Sequence, residues 1–185
     1  RAALVYLWQY ERTGEAEFLE LARACLNFVM YMQTDDGSFY NFVTDREGTI
    51  NKTGNTSFKS LGWWAMRGFW ALGEGVRVFD SLDSEYAGRL EQVYLKTQGA
   101  LGKTLGNYGE YTSLHGFEIP AWIPGGEPTI AGIGVLGLAA YYRTRPNDTT
   151  ADVMTKIADG LAQYRLGDHK TYPFGMHPLR SNAPG

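Results

Sequence analysis

The chain has 185 residues, of which 44% are hydrophobic and 14% aromatic, so length and composition predict one folded domain with a sizeable core and argue against disorder. Its 17 basic and 20 acidic side chains are spread along the sequence and give a net charge of −3, which argues against nucleic acid as a partner. The single cysteine excludes an intrachain disulfide, and the longest apolar run, residues 130–142, is too short for a membrane span of about 20 residues. These features leave the cellular compartment open.

Helical patterns follow one another along the chain, and strand-like alternation is almost absent, so the predicted fold class is all-α. Apolar residues recur at spacings of three and four, which is typical of helices with one buried face. The predicted helices cover about residues 2–11, 15–32, 60–79, 84–105, 128–142 and 150–166. Pro128 suits the first turn of the fifth helix, and Ser84 is expected to cap the fourth.

The six helices fall into two kinds. The third and fifth are apolar nearly all round and contain several glycines, whereas the second, fourth and sixth each have a polar face. A helix that is apolar on every side must be buried on every side, and its glycines permit close packing. The pattern therefore predicts helical hairpins in two layers, with the odd-numbered helices inside and the even-numbered ones outside.

The connections between the helices differ in length. Those from an inner to an outer helix are short, and those that leave an outer helix are long. The long ones cover about residues 34–59, 106–127 and 167 to the chain end. Loops of this length in a compact domain are often functional, and these are rich in aromatic residues. We expect the short turns at one end of the bundle and the long loops together at the other.

Two segments carry a resemblance to a known family. DDGSFYNFV, residues 35–43, and MRGFWALGEG, residues 66–75, are similar to the six-hairpin (α/α)6 glycosidase-like superfamily, in which a D-G-x-F-x-N-F segment precedes an R-x-x-W-A-L-G helix. Trp63 and Trp64 stand where that family carries an acidic residue and a serine. The resemblance implies a carbohydrate-related toroid. Residues 1–185 would be a single α/α-hairpin domain and about half of such a ring, with the missing hairpins supplied by the same longer chain or by a second copy.

Asp35 and Asp36 are the first candidate functional residues. Glycoside hydrolysis requires two carboxyl groups across the scissile bond, and adjacent residues rarely converge on one substrate. If the protein is an enzyme, we expect Asp36 and Glu118, from different loops, to be the catalytic pair. The alternative is that the Asp-Asp-Gly segment forms an ordinary turn, in which aspartate accepts local amide hydrogen bonds and glycine adopts positive φ.

The other candidates are aromatic, polar and charged residues of the loops and of the third helix. Such a mixture suits a saccharide, although aromatic side chains also pin a loop to its own core. Arg67 shares a helix face with Trp63 and Trp70, where it would suit an anionic sugar unless it pairs with a buried carboxylate. The predicted substrate-binding residues are Asp35, Tyr40, Asn41, Trp63, Arg67, Glu110, His115, Trp122 and His169.

The leading functional hypothesis is a carbohydrate-binding or carbohydrate-processing domain whose partner is an oligo- or polysaccharide. The alternatives are a non-catalytic module of a glycosyltransferase or larger enzyme, and a terpenoid-cyclase-like or prenyltransferase-like toroid, since QTDDGSF also resembles the Q-x-x-D-G-S-W repeat of those rings. No cofactor is predicted, because a P-loop, a dinucleotide fingerprint and a nucleophile elbow are all missing from the sequence. No metal is predicted either, because the histidines near the end lack ligand spacing.

Overall fold

The computed structural model describes residues 1–55 and 57–177, most of which are helical. The α-helices in this part of the chain are α1 (Ala2–Thr13), α2 (Ala16–Tyr31), α3 (Trp63–Phe79), α4 (Ser84–Lys103), α5 (Pro128–Tyr142) and α6 (Asp148–Gln163). Each predicted helix is confirmed, with ends that differ by a few residues from the predicted ones. The all-α class is confirmed as a mostly helical fold. None of the described helices combines the length and the hydropathy that a membrane crossing requires.

The helices pack as three hairpins, α1 with α2, α3 with α4, and α5 with α6. Helix α3 also contacts α1 on one side and α5 on the other, whereas α4 touches α2 and α6 only lightly. Burial is greatest in α3, most of which is buried, whereas α1 buries Ala3, Leu4 and Leu7 and α2 buries Ala22 and Leu26. Helices α1, α3 and α5 therefore form one row, and α2, α4 and α6 form a second row against it.

The short connections lie at one end of the bundle. Arg145, between α5 and α6, pairs with Asp80, between α3 and α4, at 2.6 Å. Arg77, near the end of α3, pairs with Glu11, near the end of α1, also at 2.6 Å. These pairs confirm the predicted gathering of short turns. The opposite helix ends carry the longer connections, which cover residues 32–62, 104–127 and 164–177.

Two details of the sequence prediction were wrong. The side chain that caps α4 is Asp83, not Ser84, and it accepts a hydrogen bond from the Tyr86 amide at 3.0 Å. A carboxylate at this place also interacts favourably with the positive end of the helix dipole. In addition, the second long connection contains strands β1 (Tyr111–Leu114) and β2 (Phe117–Pro120), which form an antiparallel hairpin. Each strand has only four residues, which is too short for alternation to stand out.

Candidate functional site

The segment between α2 and α3 opens with a turn built around the Asp36 carboxylate. Its Oδ1 accepts hydrogen bonds from the Thr34 hydroxyl at 2.6 Å, the Ser38 hydroxyl at 2.5 Å and the Ser38 amide at 3.1 Å. Its Oδ2 pairs with the Lys59 ammonium group. Gly37 completes the turn with a φ of 85°. The geometry is that of the turn alternative, in which the aspartate is bonded locally.

These contacts decide the protonation of Asp36. The hydrogen bond from Lys59, followed by those from Ser38 and Thr34, holds the pKa of the Asp36 carboxyl well below its usual value. The group is therefore ionised at neutral pH and has no proton to donate. A carboxylate in this state does not fit the role of general acid, which requires a raised pKa.

The turn is anchored to α4. A Cβ on Gly37 would lie 2.5 Å from the backbone oxygen of Lys96, so the turn and the helix touch at their backbones. The Thr97 hydroxyl donates to the Gly37 oxygen at 3.0 Å, and the Gln33 side-chain amide donates to the Thr97 hydroxyl at 2.8 Å and to the Val93 oxygen at 2.7 Å. This contact fixes the position of the residues beside the turn.

A hollow of about 410 Å³ lies beside the turn, and we call it the Asp35 hollow. It brings together three of the predicted site residues, Asp35, Asp36 and Tyr40. Its lining consists of Gln33, Thr34, Asp35, Asp36, Tyr40, Ile50, Lys52 and Lys59. The Lys52 ammonium lies 5.8 Å from the centre of the Tyr40 ring. Acidic, basic, amide and aromatic groups thus face one small space.

Asn41 lies next to the Asp35 hollow. With Tyr40 it lines a second, smaller space of about 80 Å³, together with Trp64 of α3. The Trp64 indole donates to the Phe39 oxygen at 3.1 Å and its ring meets that of Phe58 edge-on at 5.8 Å. The D-G-x-F-x-N-F segment is therefore held against the start of α3 by the tryptophan.

Glu118 lies elsewhere. It is exposed on β2 and lines a hollow of about 460 Å³ with Tyr111, Thr112, Ser113 and Gly116. Asp36 lines the Asp35 hollow, and Glu118 does not. The structure thus brings Asp36 together with Asp35 and Tyr40 at one hollow, while Glu118 lines another.

The remaining acid and histidine of this connection are also exposed. Glu110 precedes β1, and its backbone oxygen accepts from the Ala121 amide at 2.9 Å. His115 has a φ of 51° and Gly116 a φ of 81°, so these two residues form the turn of the β-hairpin. Neither Glu110 nor His115 lines the Asp35 hollow.

Trp122 belongs to the core. Its side chain is 1% exposed, and its indole donates to the Lys156 oxygen of α6 at 2.9 Å. The rings of Tyr108 and Tyr111 meet it edge-on at 5.1 Å and 5.5 Å. In this structure Trp122 pins its own loop to α6 and offers no surface to a sugar, which corrects the prediction that it binds the substrate.

Trp63, Arg67 and Trp70 lie at spacings of four and three residues on α3, which places them on one face of the helix. The Arg67 guanidinium lies 5.3 Å from the Trp63 ring centre, and Trp70 packs at 5.8 Å against Trp8 of α1. The buried Nε of Arg67 has no hydrogen-bond partner in the described part of the chain. The alternative, in which Arg67 pairs with a buried carboxylate, is not what these contacts show.

His169 is exposed in the connection after α6. The neighbouring Asp168 accepts from the amides of Lys170 and Thr171 at 2.7 Å and 2.8 Å, so it forms a local turn. Across residues 1–55 and 57–177, no group of three or more histidine, cysteine or acidic residues is placed to hold a metal ion.

Sequence reasoning missed the two lysines and the glutamine of the Asp35 hollow. Gln33 directly precedes the Thr34–Asp36 turn and was available as part of the QTDDGSF motif. Lys52 and Lys59 are distant in sequence from that motif, and only the folding of the connection brings them to it.

No protein-family profile matches this chain, and no curated protein is significantly similar to it.

Proposed function

We propose that this protein is a saccharide-binding domain and that it binds an oligo- or polysaccharide at the Asp35 hollow. The observation that carries the proposal is the convergence of Asp35, Tyr40, Gln33 and Lys52 on one small space. Binding sites for small polar ligands typically combine a concave surface with a few placed polar groups.

The chemistry of these side chains suits a sugar ring. Asp35 is exposed, and its carboxylate makes no hydrogen bond or ion pair to another described residue, so its oxygens are available to sugar hydroxyl groups. Lys52 and Lys59 supply donors. The half-buried Tyr40 ring supplies a flat apolar surface for the C–H face of the sugar.

Binding without hydrolysis is the form of the function that the geometry supports best. A retaining glycosidase needs its two carboxyl groups about 5–5.5 Å apart, and an inverting one about 6.5–9.5 Å, on either side of one bond. Asp36 and Glu118 line different hollows, and both oxygens of the Asp36 carboxylate are already bonded, to Lys59 and to Thr34 and Ser38. These features favour a non-catalytic module over a two-carboxylate hydrolase.

The proposal includes a ring. The three hairpins would be about half of an (α/α)6 toroid, completed by hairpins of the same longer chain or of a second copy. The exposure of apolar side chains on α1 and α5 supports it, since Val5 is 58%, Trp8 44% and Leu136 46% exposed. These helices are the two ends of the row, where neighbouring hairpins of a ring would pack, and exposed apolar side chains are typical of such covered surfaces.

The test is binding to a panel of oligosaccharides, measured by calorimetry. For any saccharide that binds, Asp35→Asn and Tyr40→Ala should each weaken the affinity by about tenfold or more, which corresponds to loss of a charged hydrogen bond or of the ring contact. Glu47→Gln is the matched control, because Glu47 is an exposed carboxylate of the same connection that does not line the hollow. The proposal fails if no saccharide binds, or if all three variants bind alike.

Turnover is measured on the same saccharides. The proposal expects no release of reducing ends by the native chain. Hydrolysis that is abolished by Asp36→Asn and by Glu118→Gln would instead establish the two-carboxylate enzyme. Hydrolysis that neither substitution alters would locate the catalytic groups elsewhere.

A further inference from the structure

A further hollow, of about 600 Å³, lies between the start of α1, the first half of α3 and the second half of α2. We call it the Arg67 hollow. Phe28, Val29 and Trp64 are the large apolar side chains among the residues that line it. Its lining consists of Arg1, Ala2, Ala3, Ala24, Cys25, Phe28, Val29, Trp64, Arg67, Gly68 and Ala71. Its volume falls within the usual range for small-molecule sites, about 300–1,000 Å³.

The charge of this lining is one-sided. Arg1 and Arg67 are the charged residues among those that line the hollow, and no acidic residue is among them. The chain as a whole has a net charge of −3, so the positive charge of this lining is opposite in sign to that of the whole protein. Such a surface is complementary to an anion that carries an apolar body.

Arg67 lacks the partner that a half-buried arginine normally has. Its Nε is buried, and within residues 1–55 and 57–177 no side chain or backbone oxygen accepts its hydrogen bond. It forms no ion pair with a described carboxylate, whereas Arg23, Arg77 and Arg145 each do. A buried donor without an acceptor is costly, and a ligand carboxylate, which suits the guanidinium fork, would satisfy it.

We propose that the Arg67 hollow binds a small carboxylate with an apolar body, whose carboxylate pairs with Arg67 and whose apolar part lies against Phe28, Val29 and Trp64. A uronic acid fits this hollow poorly. Its hydroxyl groups would need partners, and the side chains of the lining, apart from the two arginines, are apolar, with Cys25 and the indole of Trp64 as the exceptions. That indole already donates to the Phe39 oxygen. This site is separate from the Asp35 hollow, and the proposal does not rest on the saccharide function.

Octanoate is the probe, and octanamide and glucuronate are its controls. Octanamide keeps the apolar chain but not the charge, and glucuronate keeps the charge but not the apolar chain. Calorimetry on the full chain should show octanoate binding about tenfold or more tighter than either control, as expected for a charge-assisted hydrogen bond. Equal binding of octanoate and octanamide, or no octanoate binding, would overturn the proposal.

The reactivity of Cys25 can report whether the Arg67 hollow is occupied. Cys25 is its one cysteine, it is half-buried, and it lines the hollow. Octanoate should therefore slow the alkylation of Cys25 by N-ethylmaleimide, with a concentration dependence that matches the calorimetric affinity. Octanoate that binds without slowing the reaction lies elsewhere, and this result would contradict the site.

Two substitutions test the residues. Arg67→Met keeps an apolar stem of similar length and removes the charge, and it should weaken octanoate binding by about tenfold or more and remove the preference over octanamide. Ala24→Trp fills the mouth from an exposed helix position, and it should abolish binding, whereas Ala16→Trp, at an exposed position of α2 outside the hollow, should not. Unchanged octanoate affinity in Arg67→Met or in Ala24→Trp overturns the proposal. If Arg67→Met does not fold, the ligand comparison and the Cys25 reaction decide it on the native chain.

Discussion

Gly73 of α3 and Gly137 of α5 face each other with their backbones in contact, since a Cβ on Gly73 would lie 2.5 Å from the Gly137 carbonyl oxygen. A methyl group cannot fit there unless the helices move apart. Gly73→Ala should therefore lower the free energy of unfolding by about 1–3 kcal/mol, the usual cost of overpacking a core. Denaturant unfolding followed by circular dichroism measures this change.

Gly132→Ala is the control for this prediction. Gly132 lies in the same helix as Gly137, but a Cβ there would meet no atom within 4 Å. Alanine has a higher helix propensity than glycine, by about 1 kcal/mol, so Gly132→Ala should leave the stability unchanged or raise it. A Gly73→Ala protein as stable as Gly132→Ala would show that the two helices are not in close contact.

These glycines show how far the fold could be predicted from sequence. The apolar, glycine-rich character of α3 and α5 predicted that both are extensively buried, and in the structure they pack against each other. The periodicity of the sequence does not predict which glycine of α3 contacts which glycine of α5. That depends on the point at which the two helices cross, and they are separate in sequence. Gly73 of one helix and Gly137 of the other could be paired only from coordinates.

The candidate site was predictable to the same limited degree. Asp35, Asp36 and Tyr40 come from one short segment, so their proximity follows from local sequence. The relation of Asp36 to Glu118 depends on where two long connections fold. The second connection is held over α6 by long-range bonds such as that from the Tyr108 hydroxyl to Asp159 at 3.0 Å, which no local pattern encodes.

The turn around Asp36 predicts a pH effect. Its pKa is held below the ordinary value of 3.8 by Lys59, Ser38 and Thr34, so the ionised form is favoured in the folded state. The stabilisation is present above pH 3.8 and is lost as the pH falls from there through the lower folded-state pKa. Thermal melts of the native chain should therefore show a fall in stability below pH 3.8 that Asp36→Asn reduces.

Asp35→Asn is the matched comparison for this effect. It changes the adjacent residue in the same way, but Asp35 makes none of the turn's hydrogen bonds. Its melting profile against pH should follow that of the native chain. Because the pair between Asp36 and Lys59 is half exposed, its contribution is screened by salt and should shrink at high ionic strength. Identical profiles for the two variants would contradict the role given to Asp36.

Tyr94 of α4 provides a prediction about the core. Its ring is stacked between Phe69 at 4.5 Å and Tyr141 at 4.2 Å, and its buried hydroxyl has no partner among residues 1–55 and 57–177. Burial accordingly raises the pKa of Tyr94 above its usual value. Tyr94→Phe removes an unsatisfied polar atom and keeps the ring, so the free energy of unfolding should stay the same or rise by up to about 1 kcal/mol.

Tyr141→Phe should have the opposite effect. The Tyr141 hydroxyl donates to Glu91 at 2.6 Å, so its removal takes a partner from a carboxylate and should lower the free energy of unfolding by about 1 kcal/mol. Urea midpoints of the two variants, measured side by side, give the comparison. A Tyr94→Phe protein that loses as much stability as Tyr141→Phe would show that the Tyr94 hydroxyl is bonded after all.

A substitution of Trp122 tests whether this residue contributes to core packing or to saccharide binding. Its indole donor bonds the Lys156 oxygen, and a Cβ on Gly160 would lie 2.6 Å from its Nε1, so the ring is fitted closely against α6. Trp122→Phe removes the donor and leaves unfilled space, which should lower the free energy of unfolding by about 1–3 kcal/mol. Because the ring is buried away from the Asp35 hollow, saccharide affinity should not change.

Trp8→Phe is the control. Trp8 is 44% exposed, so this substitution should lower the free energy of unfolding by less than Trp122→Phe does. Equal stability of the two variants would contradict the close packing of Trp122. A saccharide affinity reduced by Trp122→Phe would restore Trp122 as a binding residue.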